Sequence, residues 1–138
     1  MTGIVVISHG NLSLELLETV TLIMGEQKNA SAVTFSPKES IETLREKALN
    51  EINKYIGSGG CLVLTDVLGG SATNICVDFI RMENVRVVSG VNLPMLMDAF
   101  QNREKLAVKE LSQKVREGGA KGIIDLNDFF LERAKKRK

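Results

Sequence analysis

Residues 3–11 read GIVVISHGN, and the reading of that stretch decides the fold. Gly3-Ile4-Val5-Val6-Ile7 is short, β-branched and continuously apolar, with no polar alternation. A strand of that kind is covered on both faces, as the strands of a parallel sheet are. It runs into a polar turn, Ser8-His9-Gly10-Asn11, and from Leu12 to Met24 the period changes. Leu12, Leu16, Leu17, Val20, Ile23 and Met24 fall on one helical face, with Gly25 as a stop.

The same strand, turn and helix recur outward along the chain. Ala30–Phe35 is a second strand. Ser36-Pro37 then opens a helix, with serine as N-cap, proline at the first position and Glu39 completing the capping-box spacing. Ile41, Leu44, Ala48, Ile52, Tyr55 and Ile56 supply its buried stripe, and Gly57-Ser58-Gly59-Gly60 ends it. Cys61–Thr65 is another unbroken apolar run, which reaches Asp66; a glycine pair and a helix from Ser71 to Met82 follow. Val85–Ser89 is a fourth strand, and Gly90-Val91-Asn92-Leu93-Pro94 turns into a fourth helix. An amphipathic helix around Glu104–Glu117 leads to Gly118-Gly119. Ala120–Leu126 is a candidate last strand, and 127–138 a polar, basic tail or short helix. This alternation predicts one α/β domain over residues 1–126: an open, doubly wound, mostly parallel sheet with helices on both faces and right-handed crossovers.

Composition narrows the class. The chain has 138 residues, enough for one core, with 43% hydrophobic and 25% charged residues, as in ordinary globular proteins. A formal net charge of +1 gives no global reason to expect nucleic acid. No apolar stretch approaches the roughly 20 residues that span a bilayer, and the N-terminus has no signal-peptide pattern, so a cytoplasmic location is expected. Cys61 and Cys76 are far apart in sequence, outside any CxxC pair and without a second histidine. They are expected to be reduced core thiols, with no metal site.

Binding groups in such sheets collect at the carboxyl ends of the strands, near the point where strand order reverses. Three strand ends carry polar or glycine-rich turns here: Ser8–Asn11, Asp66–Ser71 and Ser89–Asn92. His9 and Asp66 meet across this rim if their strands are neighbours. A carboxylate that accepts from one imidazole nitrogen fixes the tautomer and leaves the other nitrogen with an outward lone pair, as a nucleophilic histidine needs. Gly69-Gly70-Ser71 at a helix start presents N–H groups and a hydroxyl suited to an anion. The same triplet, taken alone, is also a routine strand-to-helix connection with an N-cap, and it lacks the lysine of a Walker loop. A lone histidine or aspartate of this kind also fits packing or a helix entry. Asn92 and Pro94 read as turn and helix-start residues. Met95, Leu96 and Met97 read as core, with Met95, near the rim, also a candidate for a partner surface.

VVISHGNL, GEQKN, LVLTDVLGGSATN and VVSGVNLPML resemble, in order and spacing, the IIA domain of the mannose/fructose/sorbose class of the bacterial sugar phosphotransferase system. The likeness runs from about Gly3 to Leu96. It implies four parallel strands plus an antiparallel fifth exchanged in a homodimer, for which Ala120–Leu126 is the candidate. It also implies that His9 accepts a phosphoryl group from the histidine phosphocarrier protein HPr and passes it to a IIB domain for sugar uptake. On this pattern Asp66 pairs with His9, while Gly69, Gly70 and Ser71 hold the phosphoryl oxygens. No cofactor is implied, and the membrane enters only through the transporter complex. Two protein partners must reach the site in turn, so its surroundings are expected to be flat or apolar instead of a deep pocket, with Leu68 and Met95 as contacts. The glycine turn departs from the family's usual Ser-Pro-Phe-Asn continuation, reading Ser71-Ala72-Thr73-Asn74. Competing readings are a regulatory phosphohistidine protein of the same fold, the phosphocarrier subunit of dihydroxyacetone kinase, and a plain ligand-binding α/β domain.

Overall fold

In the computed structural model, which describes residues 1–67 and 71–136, four parallel strands form one sheet in the order β2-β1-β3-β4. The strands are β1 (Gly3–His9), β2 (Ala30–Phe35), β3 (Cys61–Thr65) and β4 (Val85–Ser89). The helices are α1 (Leu12–Met24), α2 (Ile41–Tyr55), α3 (Ser71–Ile80), α4 (Leu93–Asn102), α5 (Val108–Lys121) and α6 (Leu126–Lys136).

The unbroken apolar strands are buried on both faces, and their alternation sorts side chains into two cores. Ile4, Val6, Leu62 and Leu64 pack with Val20 of α1, with Leu96 and Phe100 of α4, and with Leu111 and Val115 of α5. Val5, Ile7, Cys61 and Val63 face the other way, onto Leu44 and Ile52 of α2 and Ile75 and Phe79 of α3. At the amino end of the sheet, the buried Arg103 guanidinium donates to the carbonyl of Asn29 at 3.1 Å and lies 4.9 Å from the Phe100 ring centre. These contacts satisfy a cation that burial would otherwise penalise.

The chain runs from β1 out to β2, then returns past β1 to β3 and on to β4. Strand order therefore reverses between β1 and β3, and their carboxyl ends flank the crevice that such a reversal opens.

Four expectations are corrected. The second helix does not start at Ser36. Ser36–Glu39 forms a closed turn, in which the Ser36 N–H donates to Glu39 Oε1 at 3.1 Å and the Glu39 N–H to the Ser36 carbonyl at 3.0 Å. Glu39 is drawn aside by Lys47 at 2.7 Å, and α2 begins at Ile41, capped by Ser40, whose Oγ accepts from the Thr43 N–H at 3.1 Å. The third helix stops at Ile80 instead of reaching Met82, whose N–H closes a turn onto the Phe79 carbonyl.

Gly118 and Gly119 do not end the fifth helix; they lie inside α5, where a Cβ on Gly118 would fall 2.0 Å from Asp98 and one on Gly119 3.1 Å from Met95 of α4. The glycines allow two helices to touch closely, and α5 runs through them. Ala120 and Lys121 are consequently its last turn, Gly122–Asp125 is irregular, and Leu126 opens α6, so Ala120–Leu126 forms no fifth strand among the described residues. Residues 127–136, expected as tail or short helix, are helical.

Candidate phosphoryl-transfer site

His9 is the last residue of β1, paired in register with Phe35 of β2; Asp66 follows β3 directly, one step past the Ile7–Thr65 pair. Parallel register brings the two side chains together. Asp66 Oδ2 lies 2.9 Å from His9 Nδ1 and also accepts the His9 main-chain N–H at 2.8 Å. An ionised carboxylate only accepts, so Nδ1 carries the proton and Nε2 keeps its lone pair. No hydrogen bond to Nε2 is made among the described residues. The His9 side chain is 53% exposed and that of Asp66 14%. Burial works to raise the Asp66 pKa, but the His9 N–H, the His9 ring and the Val67 N–H outweigh it and hold the carboxyl below its ordinary value.

The rest of the rim is pinned by main-chain bonds. Gly10, at φ +56°, turns the chain out of β1, and its N–H donates to the Phe35 carbonyl at 2.7 Å. A left-handed φ of this kind favours glycine. Ser8, buried behind His9, accepts the Ser13 N–H at 2.7 Å, and the Ser13 hydroxyl donates to the Val33 carbonyl at 3.0 Å. Asn11, at the cap position of α1, makes no side-chain cap bond, so Ser8 supplies the acceptor from the strand itself. On the other side, Gly90 donates to the Asp66 carbonyl and Val91 to that of Thr65, both at 2.8 Å.

Leu68, Gly69 and Gly70 lie outside the described residues. Ser71 is the first residue of α3, and its side chain lies outside the description. Met95 is corrected as a partner contact: it is 5% exposed, in the core beneath α5, and offers a partner no surface. Its N–H is instead the group capped by Asn92 Oδ1, at 2.9 Å, while Asn92 Nδ2 donates to the Gly119 carbonyl at 3.0 Å. Asn92 and Pro94 are the helix-start residues expected. Cys61 and Cys76 are free; burial pushes the Cys61 thiol up to about 12 and raises that of Cys76, so neither is poised as a nucleophile.

Of the surroundings expected to be flat or apolar instead of a deep pocket, the apolar character is found and the flatness is not. A cavity of about 320 Å³ opens beside His9 and Asp66, walled by Phe35, Leu44, Val67, Cys76, Val77, Ile80 and Val87. Its apolar walls continue onto the surface: Val67 is 63% and Ile80 59% exposed, with Val77 also exposed. Reading the sequence missed Phe35, Val67, Val77 and Ile80. Their signal was weak, since Phe35, Val77 and Ile80 read as core within their own strand or helix; Val67, in the turn directly after Asp66, was the most accessible to inference. Among the described residues no helix is long and apolar enough to cross a membrane.

A carboxylate-oriented imidazole at the carboxyl rim of the sheet, with an apolar collar, is suited to exchanging a group with another macromolecule. Comparisons with known proteins agree. The family model described as the PTS system fructose IIA component matches residues 3–116. The chain is 32% identical over 84% of its length to the PTS fructose-specific EIIA component of Bacillus subtilis (strain 168), covering 80% of that protein. It is 35% identical over 96% of its length to the PTS mannose-specific EIIAB component of Escherichia coli (strain K12), but spans only 42% of that longer protein. The crystal structure of phosphotransferase system component EIIA from Streptococcus agalactiae superposes with a TM-score of 0.84 at 30% identity, covering 93% of this chain and 99% of that one. The chain therefore belongs to the fructose/mannose/sorbose-type IIA components of the sugar phosphotransferase system.

Proposed function

We propose that this chain is a phosphocarrier in which His9 Nε2 takes a phosphoryl group from phospho-HPr and delivers it to a IIB protein serving sugar uptake. The observation that carries the reading is the pair of bonds from His9 to one oxygen of Asp66, at 2.8 and 2.9 Å, on an imidazole that remains half exposed.

The chemistry is an in-line exchange. The Nε2 lone pair attacks phosphorus, a new N–P bond forms, and the N–P bond to the donor histidine breaks with its electron pair returning to that ring. Nδ1 keeps its proton against Asp66 throughout, so the positive charge that develops on the His9 ring meets a fixed carboxylate. Gly69, Gly70 and Ser71, the last of these the first residue of α3, are assigned to the phosphoryl oxygens, since helix-terminal N–H groups favour negative charge. Delivery to IIB reverses the steps. Since the bond is transferred from one histidine to another, neither nucleotide nor metal is needed.

Docking of HPr and IIB is assigned to the apolar collar of Val67, Val77 and Ile80, and the assignment of Leu68 to the same contact rests on the sequence motif alone. The working unit is a homodimer in the cytoplasm, in which the exposed apolar residues Ile123, Ile124 and Leu126 pair with a second copy. Residues 1–126 are assigned to the IIA domain proper, and the basic segment 127–138 to a C-terminal extension of it. Incubation with enzyme I, HPr and labelled phosphoenolpyruvate should place an acid-labile phosphate on the protein, and His9→Ala should remove it. Undiminished labelling of His9→Ala ends the phosphohistidine reading. Onward transfer to IIB proteins separates a transport component from a purely regulatory one.

A further inference from the structure

The geometry points to Phe35 as a positioning residue that fixes the plane of the His9 ring. The inference rests on the phosphocarrier reading for its catalytic consequence, while the ring geometry itself can be measured without it.

One hydrogen bond from Nδ1 to Asp66 locates one atom of the imidazole. It leaves the ring free to swing about that contact, and the side chain is 53% exposed. In-line transfer needs the direction of the Nε2 lone pair as well as its position. Phe35 supplies a second restraint. It stands opposite His9 in the β1–β2 register, and the two rings meet edge to face at an interplanar angle of 83° with centres 6.2 Å apart. Edge-to-face packing is a favoured aromatic geometry, with attraction that a rotated ring would lose.

Phe35 is itself held from several sides. Its carbonyl accepts the Gly10 N–H at 2.7 Å, which ties it to the residue after His9. Lys47 Nζ donates to the carbonyl of Thr34 and to Glu39 Oε2, each at 2.7 Å, and Glu39 Oε1 accepts the Ser36 N–H. The half-buried Phe35 thus sits between two braced peptides on strand β2. Asp66 holds the ring from one neighbouring strand and Phe35 from the other.

The test compares wild type, Phe35→Leu and Phe35→Tyr in steady-state phosphorylation by phospho-HPr, with unfolding midpoints measured alongside. Phe35→Leu should lower kcat by about two- to tenfold, the range expected for losing one aromatic pair, with KM for phospho-HPr unchanged. Phe35→Tyr keeps the ring and should restore kcat. A raised KM with unchanged kcat would make Phe35 a docking contact and overturn the inference, as would a kcat unaffected by Phe35→Leu. Independently, NMR of the unphosphorylated wild-type protein should show one His9 rotamer with cross-ring contacts to Phe35; a rotamer-averaged His9 ring overturns it too. If the wild-type protein takes up no phosphate, the phosphocarrier reading fails and the NMR measurement alone decides the role of Phe35.

Discussion

Asp66→Asn removes one negative charge and almost no volume. In the native protein a single oxygen of Asp66 accepts from the His9 main chain at 2.8 Å and from the His9 ring at 2.9 Å. A hydrogen bond to a charged acceptor contributes about 1.5–3 kcal/mol and one to a neutral acceptor about 0.5–1.5 kcal/mol. Loss of the charge therefore weakens the ring contact by about 1–2 kcal/mol. The loss falls mainly on the transition state, because Nδ1–H becomes more acidic as phosphorus bonds to Nε2. Transfer should slow by about 5- to 30-fold, measured as single-turnover, rapid-quench phosphorylation by saturating phospho-HPr, with the unfolding midpoint as a control. A rate within twofold of wild type would refute the orienting role of the carboxylate. Loss as complete as that of His9→Ala would refute it too, since it would give Asp66 a larger role than orientation. The pH dependence has a definite sign. The Asp66 carboxyl titrates below its ordinary value of 3.8, so the folded protein binds this proton less readily than the unfolded chain. Its stabilising contribution is complete above that ordinary value and is lost as pH falls through the lower, folded-state value. Asp66→Asn should therefore flatten the acid limb of stability measured by denaturant unfolding below about pH 4.

Ile80→Asp places a charge on the apolar collar, at a side chain 59% exposed. It should raise KM for phospho-HPr at least tenfold in steady-state assays while leaving the unfolding midpoint near wild type. Gly3→Ala sets a Cβ about 2.2 Å from the Tyr55 ring, and the forced shift of β1 from α2 should cost about 1–3 kcal/mol in urea unfolding. Ser40→Ala should cost about 1 kcal/mol by the same measurement, as the loss of a helix cap does.

The pairing of His9 with Asp66 was legible because a continuous apolar strand fixes direction, burial and endpoint together. Two such runs, each reaching a polar residue, must end on the same rim once both strands are parallel. The other two strands were legible with their bounds as well, although ASAVTF and VRVVS carry polar residues and are not continuous apolar runs. What could not be read was tertiary in origin. Ser36 and Ser40 both suit a cap, and the choice between them was made by Lys47, which binds Glu39 and the Thr34 carbonyl from the second turn of α2. Gly118 and Gly119 read as a helix stop until Asp98 and Met95 are seen packed against them. Met95 was misplaced since adjacency to the rim in sequence does not tell which way a helix turns its side chains. Phe35, Val77 and Ile80 carry ordinary core patterns, and only the packing of α3 against β4 and α2 shows that they wall a cavity.

The main-chain N–H of His9, bonded to Asp66, belongs to the backbone and survives replacement of the side chain. The carboxylate thus has a seat that does not depend on the imidazole it orients. In a His9→Gly protein it should remain ionised beside an empty slot shaped for an aromatic five-membered ring. Free imidazole entering that slot can donate to Asp66 through one nitrogen and receive phosphorus on the other. The protein would then stop storing the phosphoryl group and release it as a small, diffusible phosphoimidazole, turning a relay between proteins into a leak to solvent.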